Sequence, residues 1–283
     1  MKWQGRQGSR NVSDRRLSGG TAIGGAGIVV LLIYTLISGD PSALIGSLIN
    51  QGSSNQTTLS AEDKQLGEFV SVVLMDTETV WTTIFEDYDM TYEPAKLVLY
   101  SDSMNTGCGF ASSSVGPFYC SQDQTIYIDL IFYKQLRTQF NAPGDFAMAY
   151  VIAHEVGHHI QYLTGILDEY NSLRSQMSTT EFNRLTVSLE LQADYLAGVW
   201  AKHVQGMGYL EEGDLDEALN AASAVGDDRI QEQATGRVNP DNFTHGTSEQ
   251  RRTWFYKGFM NGDLEEWDTF SLEEIAVFMP YLS

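Results

Sequence analysis

The feature that most constrains this chain is the run Phe146-Ala-Met-Ala-Tyr-Val-Ile-Ala-His154-Glu155-Val156-Gly157-His158-His159. Its first eight residues read as buried helix, and three of the chain's five histidines follow within six positions. On a helix, His154 and His158 lie one turn apart on one face, where both imidazoles can reach a single Zn²⁺ at about 2.0–2.1 Å. Glu155 is turned by about 100° from His154, which puts it beside the metal rather than on it. Burying two histidines and a glutamate costs free energy unless they act together. The pattern predicts one Zn²⁺ per chain on His154 and His158, with Glu155 as general base towards a metal-activated water. His159 falls on another face, as a structural or surface residue.

A catalytic zinc needs a third protein ligand and an open position. The extended form with a third histidine is excluded, because Gln161 and Thr164 stand where Gly and His would be. The leading candidate is Glu190, 32 residues after His158, in Leu189-Glu-Leu-Gln-Ala-Asp194. Glu190 and Asp194 are spaced i, i+4 on a second packed helix. Glu190 can ligate, and Asp194 can accept the second N–H of a zinc-bound histidine and fix its orientation. Asp168, Glu169 and His203 are weaker alternatives for the third ligand. His245 precedes a helix whose Thr247 and Gln250 form a capping box. It is either a catalytic group stabilising an oxyanion or a structural hydrogen-bond donor. Arg251 is a second, weaker oxyanion partner.

The charge is unevenly placed. The chain has 283 residues, with 17 Lys+Arg and 37 Asp+Glu. Residues 1–16 hold five bases and one acid, leaving twelve bases and 36 acids for the rest. An acidic body argues against nucleic acid as partner. From Leu17 to Gly39 there are 23 residues without a charge, long enough to cross a bilayer as a helix of roughly 34 Å. The basic head then predicts a cytoplasmic N-terminus, an uncleaved single-pass anchor in the inner (cytoplasmic) membrane, and a catalytic domain outside it, in the periplasm or extracytoplasmic space. Gly20 and Gly24 have the spacing of a weak homodimer contact, set against plain glycine richness. Two cysteines exclude a disulfide scaffold, but in an exported chain Cys108 and Cys120 should pair.

The expected organisation is a basic segment 1–17, an anchor 18–38, a flexible linker 39–60 and one domain 61–283. Its fold class is α+β, mainly helical with a small sheet. Helices are expected near 61–88, 131–140, 144–166, 180–204, 214–234, 248–261 and 271–279. Strands are expected at Lys96–Ser101 and Thr125–Leu130.

These motifs resemble a family, the bacterial neutral zinc metallopeptidases of the zincin group, which are membrane-anchored. The resemblance rests on Trp3-Gln-Gly-Arg6, Asn11-Val12, Asp14-Arg-Arg16, Cys108-Gly109 and Gly116-Pro-Phe-Tyr-Cys120. It continues through Ala142-Pro-Gly-Asp-Phe146, Ala149 to His159, Glu190-Leu-Gln-Ala-Asp194, Gly226-Asp-Asp-Arg229 and Thr244 to Arg251. It implies a zincin-like domain with ligands at His154, His158 and Glu190, base Glu155, and a peptide or protein substrate. By the same analogy, strand Thr125–Leu130 edges the cleft and pairs with an extended substrate. Relatives often carry cysteines where this chain has Tyr195 and Trp267, so a second disulfide is absent. Two rival functions use the same motif: a non-enzymatic zinc-stabilised envelope scaffold, and an amidase acting on cell-wall cross-links.

Overall fold

The structure, a computed structural model, describes residues 1–16 and 59–270. Fourteen regular elements besides a short 3₁₀ turn follow from local signals in the sequence. Strand β1 is Val12–Asp14, and helix α1 is Ala61–Asp87. Then come β2 (Lys96–Tyr100), β3 (Ser103–Thr106), β4 (Gly109–Ser112), β5 (Phe118–Cys120) and β6 (Thr125–Asp129). Seven further helices follow among the described residues. They are α2 (Ile131–Thr138), α3 (Asp145–Leu163), α4 (Ile166–Leu173), α5 (Thr179–Gly206), α6 (Asp214–Ala224), α7 (Asp227–Thr235) and α8 (Ser248–Asn261). The described part is mainly helical with a small sheet.

Three helices start where a side chain satisfies the free N–H groups of the first turn. Ser60 with Asp63, Ser178 with Glu181, and Thr247 with Gln250 each form a reciprocal capping box. Helix α3 starts instead at Gly144, whose φ of 118° suits glycine, and the Glu217 carboxylate accepts from the Phe146 N–H at 3.0 Å. The four-stranded sheet has the order β1-β2-β6-β5, with β5 antiparallel to β6 and the other pairs parallel. Leu97, Leu99, Ile126 and Ile128 point from one face into the main core beside α1 and α3. Val98, Tyr100, Tyr127 and Cys120 pack on the other face. Cys120 ends β5 and is disulfide-bonded to Cys108 in the β3–β4 turn, with Cα atoms 5.8 Å apart.

The basic head is not a separate segment. Residues 12–14 form β1, in register with Leu97–Leu99 of β2. Trp3 packs edge-on against Phe69 at 5.6 Å, and Arg6 pairs with buried Asp76 and lies over the Tyr209 ring. The Met1 amino group sits 2.7 Å from Asp145 and 3.2 Å from Asp214. Arg6 and the terminal amine of the head therefore meet acids of the same body. Residues 1–16 join the four-stranded sheet and pack on the same main core as residues 59–270. The expected anchor 18–38, its Gly20/Gly24 pair, nearly all of the linker 39–60 and the helix 271–279 lie outside the described residues. Among the described residues, no helix is long and apolar enough to cross a membrane.

Three smaller expectations change. The helix expected over 214–234 is two, broken at Gly226, where a Cβ would come within 2.3 Å of the Ser248 nitrogen. An unexpected helix, α4, follows α3. Strand β6 has neighbours on both sides, so it cannot edge the cleft; β5 is the edge strand instead. The residues at Tyr195 and Trp267 still tie the end of the described chain. Tyr195 is fully buried against Trp254, its hydroxyl accepts from Asn261, and the Trp267 carbonyl accepts from Gln192.

Helices α5 and α8 cross on two glycines. A Cβ on Gly198 would lie 2.0 Å from the Phe255 oxygen, and one on Gly258 would lie 2.0 Å from the Tyr195 oxygen. Gly258→Ala should force the helices apart and cost about 1–3 kcal/mol, read as a lowered thermal midpoint. An unchanged midpoint would show that the crossing tolerates a methyl group.

Candidate metal centre

The centre lies where α3 meets α5. Gly157, inside the histidine motif, permits the meeting: a Cβ there would be 3.0 Å from the Ala193 backbone. Glu190, one turn before Ala193, is thereby brought to the histidines. His154 Nε2 is 3.1 Å from one Glu190 oxygen, and His158 Nε2 is 3.4 Å from the other. One ligand atom from each of the three residues lies within 4.8 Å of the others.

The opposite ring nitrogens show what this group is suited to hold. His154 Nδ1 is 2.9 Å from Asp194 Oδ1, a carboxylate that can only accept. His158 Nδ1 is 2.8 Å from Gln161 Oε1. The Gln161 amide is oriented by its own donations to the Leu189 carbonyl and to Gln192. Each imidazole therefore places its proton on Nδ1 and its lone pair on Nε2. With both imidazoles neutral, two such lone pairs facing a carboxylate repel unless a proton or a metal ion joins them. Burial by itself would lower the His154 pKa, but Asp194 and Glu190 outweigh it and push it up to about 9. Burial likewise opposes the charge on Glu190, yet His158 and His245 hold its pKa well below the ordinary value. Two imidazole nitrogens and a carboxylate, each histidine held from behind, fit Zn²⁺.

Asp194 is the centre of a buried network. It accepts from Arg251 Nε at 2.8 Å and Nη2 at 3.0 Å, and from the Tyr150 hydroxyl at 2.5 Å. Arg251, expected as an oxyanion partner, is instead committed to orienting Asp194. Glu155 is buried, lines the same cleft, and makes no hydrogen bond through its side chain among the described residues. Burial, partly offset by His158 and His154, raises its pKa. His245 also lines the cleft, and its Nδ1 is 3.3 Å from Asp227. Asp227 accepts from the backbone N–H groups of Thr244, His245 and Gly246, which fixes this turn.

Other candidates lie elsewhere. His203 Nε2 bonds to the Gly262 carbonyl at 2.9 Å, while Asp168 and Glu169 are exposed on α4. His159 is structural and fully buried. Its Nε2 donates to the Glu93 carbonyl, so its Nδ1 accepts from the Tyr119 hydroxyl of edge strand β5, at 2.9 Å. Tyr150 and Gln161 were not singled out from the sequence. Their signal is a polar group on the ligand face of a buried helix, four residues before His154 and three after His158.

A family model described as "Putative neutral zinc metallopeptidase" matches residues 1–270. The chain belongs to that family. Uncharacterized protein YpfJ of Escherichia coli (strain K12) is 48% identical over 284 residues, covering 95% of this chain and 99% of that one. Uncharacterized protein Rv2575 of Mycobacterium tuberculosis is 44% identical over 210 residues, covering 70% of this chain and 69% of its own. No solved structure matches. The matched span includes residues 1–16, in keeping with their place in the fold.

Proposed function

We propose that this chain is a zinc-dependent peptidase with a zincin-like catalytic arrangement. His154, His158 and Glu190 hold the ion, and Glu155 is the general base. When bound, zinc would supply a Lewis acid that acidifies water and polarises a carbonyl. Glu155 accepts a proton from the attacking water and returns it to the leaving amine. Asp194 keeps the His154 proton on Nδ1. His245, held beside Asp227 on the cleft wall, is placed to stabilise the developing oxyanion. Edge strand β5 offers unpaired backbone groups to an extended peptide.

One observation carries this reading: three lone-pair donors converge beside a glutamate that has no hydrogen-bond partner among the described residues, on the wall of an open cleft. A purely structural zinc site is closed by a fourth ligand. The group found among the described residues has three. The test is direct. Purified protein should contain one zinc per chain by mass spectrometry and cut members of a peptide library. A chelator should abolish cutting, and zinc should restore it. A zinc-loaded protein that cuts no peptide would overturn the proposal; one that cuts only cell-wall cross-links would convert it to an amidase.

Membrane attachment through residues 18–38 is part of the same proposal, with one constraint. Residues 1–16 and 59–270 are one body and lie on one side. The Cys108–Cys120 disulfide favours the extracytoplasmic side for that body.

A further inference from the structure

Beside the three donors lies a cleft of about 520 Å³. Helix α2 and its C-cap residue present Phe132, Gln135 and Gln139 to it, spaced i, i+3, i+7. Val151, one turn before His154, continues the ligand face of α3 into the same space. The Phe132 and Phe140 rings stand 6.1 Å apart, and Gly116 leaves the Phe132 ring uncovered, since a Cβ there would be 3.9 Å from it. Gln135 is only 5% exposed and lines this cleft, yet its amide makes no hydrogen bond among the described residues. Its amide is therefore free to pair with a group bound in the cleft. The His, Glu and Arg residues of the lining are His154, Glu155, His158, Glu190, His245 and Arg251, all of them in the metal centre or the networks around it, and Arg251 is already paired with Asp194.

We propose that this part of the cleft selects a bulky, uncharged side chain next to the scissile bond. Phe132, Phe140 and Val151 form its apolar walls, and Gln135 supplies one polar contact. The inference rests on the peptidase reading and adds a substrate class to it: peptides with an aromatic or large aliphatic residue at one position flanking the cut. An ionic side chain would lose its hydration against these apolar walls, and the nearby carboxylates Glu155 and Glu190 belong to the metal centre. A tyrosine fits as well as a phenylalanine, because Gln135 can pair with its hydroxyl.

Two measurements test this. Zinc-loaded full-length chain is given matched peptides that differ only in Phe or Ala beside the cut. The Phe peptide should have the higher kcat/KM by on the order of 100-fold. Phe132→Ala and Phe140→Ala should each shrink that ratio at least tenfold. Equal rates for the two peptides, or a ratio unmoved by both variants, would overturn the inference while leaving the peptidase reading intact. The second measurement needs no activity. N-acetyl-phenylalanine amide, titrated into the metal-free full-length chain, should shift the Val151 methyl resonances, and N-acetyl-alanine amide should not. The same shifts from both probes, or from neither, would overturn the pocket. Phenylalanine-specific shifts without any cleavage would keep the pocket and sink the peptidase reading instead.

Discussion

Glu155→Gln should leave one zinc per chain bound and cut peptide hydrolysis by about 100- to 10,000-fold. The reason is the division of labour on α3. His154 and His158 share one face with their Nε2 atoms aimed at Glu190, while Glu155 is turned aside and lines the cleft without a hydrogen-bond partner among the described residues. Glutamine keeps the shape and loses only the ability to accept and return a proton. Zinc content by mass spectrometry and kcat/KM on one good peptide decide the matter together. A variant that keeps its zinc and its activity would remove Glu155 from the mechanism. One that loses its zinc would make Glu155 a part of the metal site.

Arg251→Met should destabilise the fold by about 3–5 kcal/mol, on the order of 10 °C in thermal midpoint for a domain of this size. Arg251 is 3% exposed and Asp194 is fully buried. Methionine keeps most of the stem but leaves a buried carboxylate with no counter-charge. The same exchange at exposed Arg252 is the control and should change little. Adding Asp194→Asn to Arg251→Met should recover part of the loss, since the stranded charge is then gone. An Arg251→Met midpoint equal to that of the Arg252 control would show that the pair carries no stability. Because Asp194 also holds the His154 Nδ1 proton, Asp194→Asn should weaken zinc binding by about 10- to 100-fold in a competition titration.

The local parts of the site were legible because helical periodicity is a short-range property. His154, Glu155 and His158 need only the i, i+4 rule and a buried helix, and Glu190 with Asp194 needs the same rule once more. The caps at Ser60 and Thr247 and the Cys108–Cys120 pair were likewise readable within a few residues. Helix α4 and strands β3 to β5 were not, being short elements with weak alternation.

The sequence by itself determined the metal-binding chemistry, the helix that carries it and the mainly helical class. Only the tertiary structure decided which residues meet across the fold. Gly157 on Ala193, and Gly198 across from Gly258, set how closely α3, α5 and α8 approach, and so bring Glu190 to the histidines and Arg251 to Asp194. The basic head shows the same limit most plainly. Its charges read as a topology signal, yet β1 pairs with β2 some 85 residues on, and Arg6 finds Asp76. Composition records how many charges a segment has; packing decides which of them face each other.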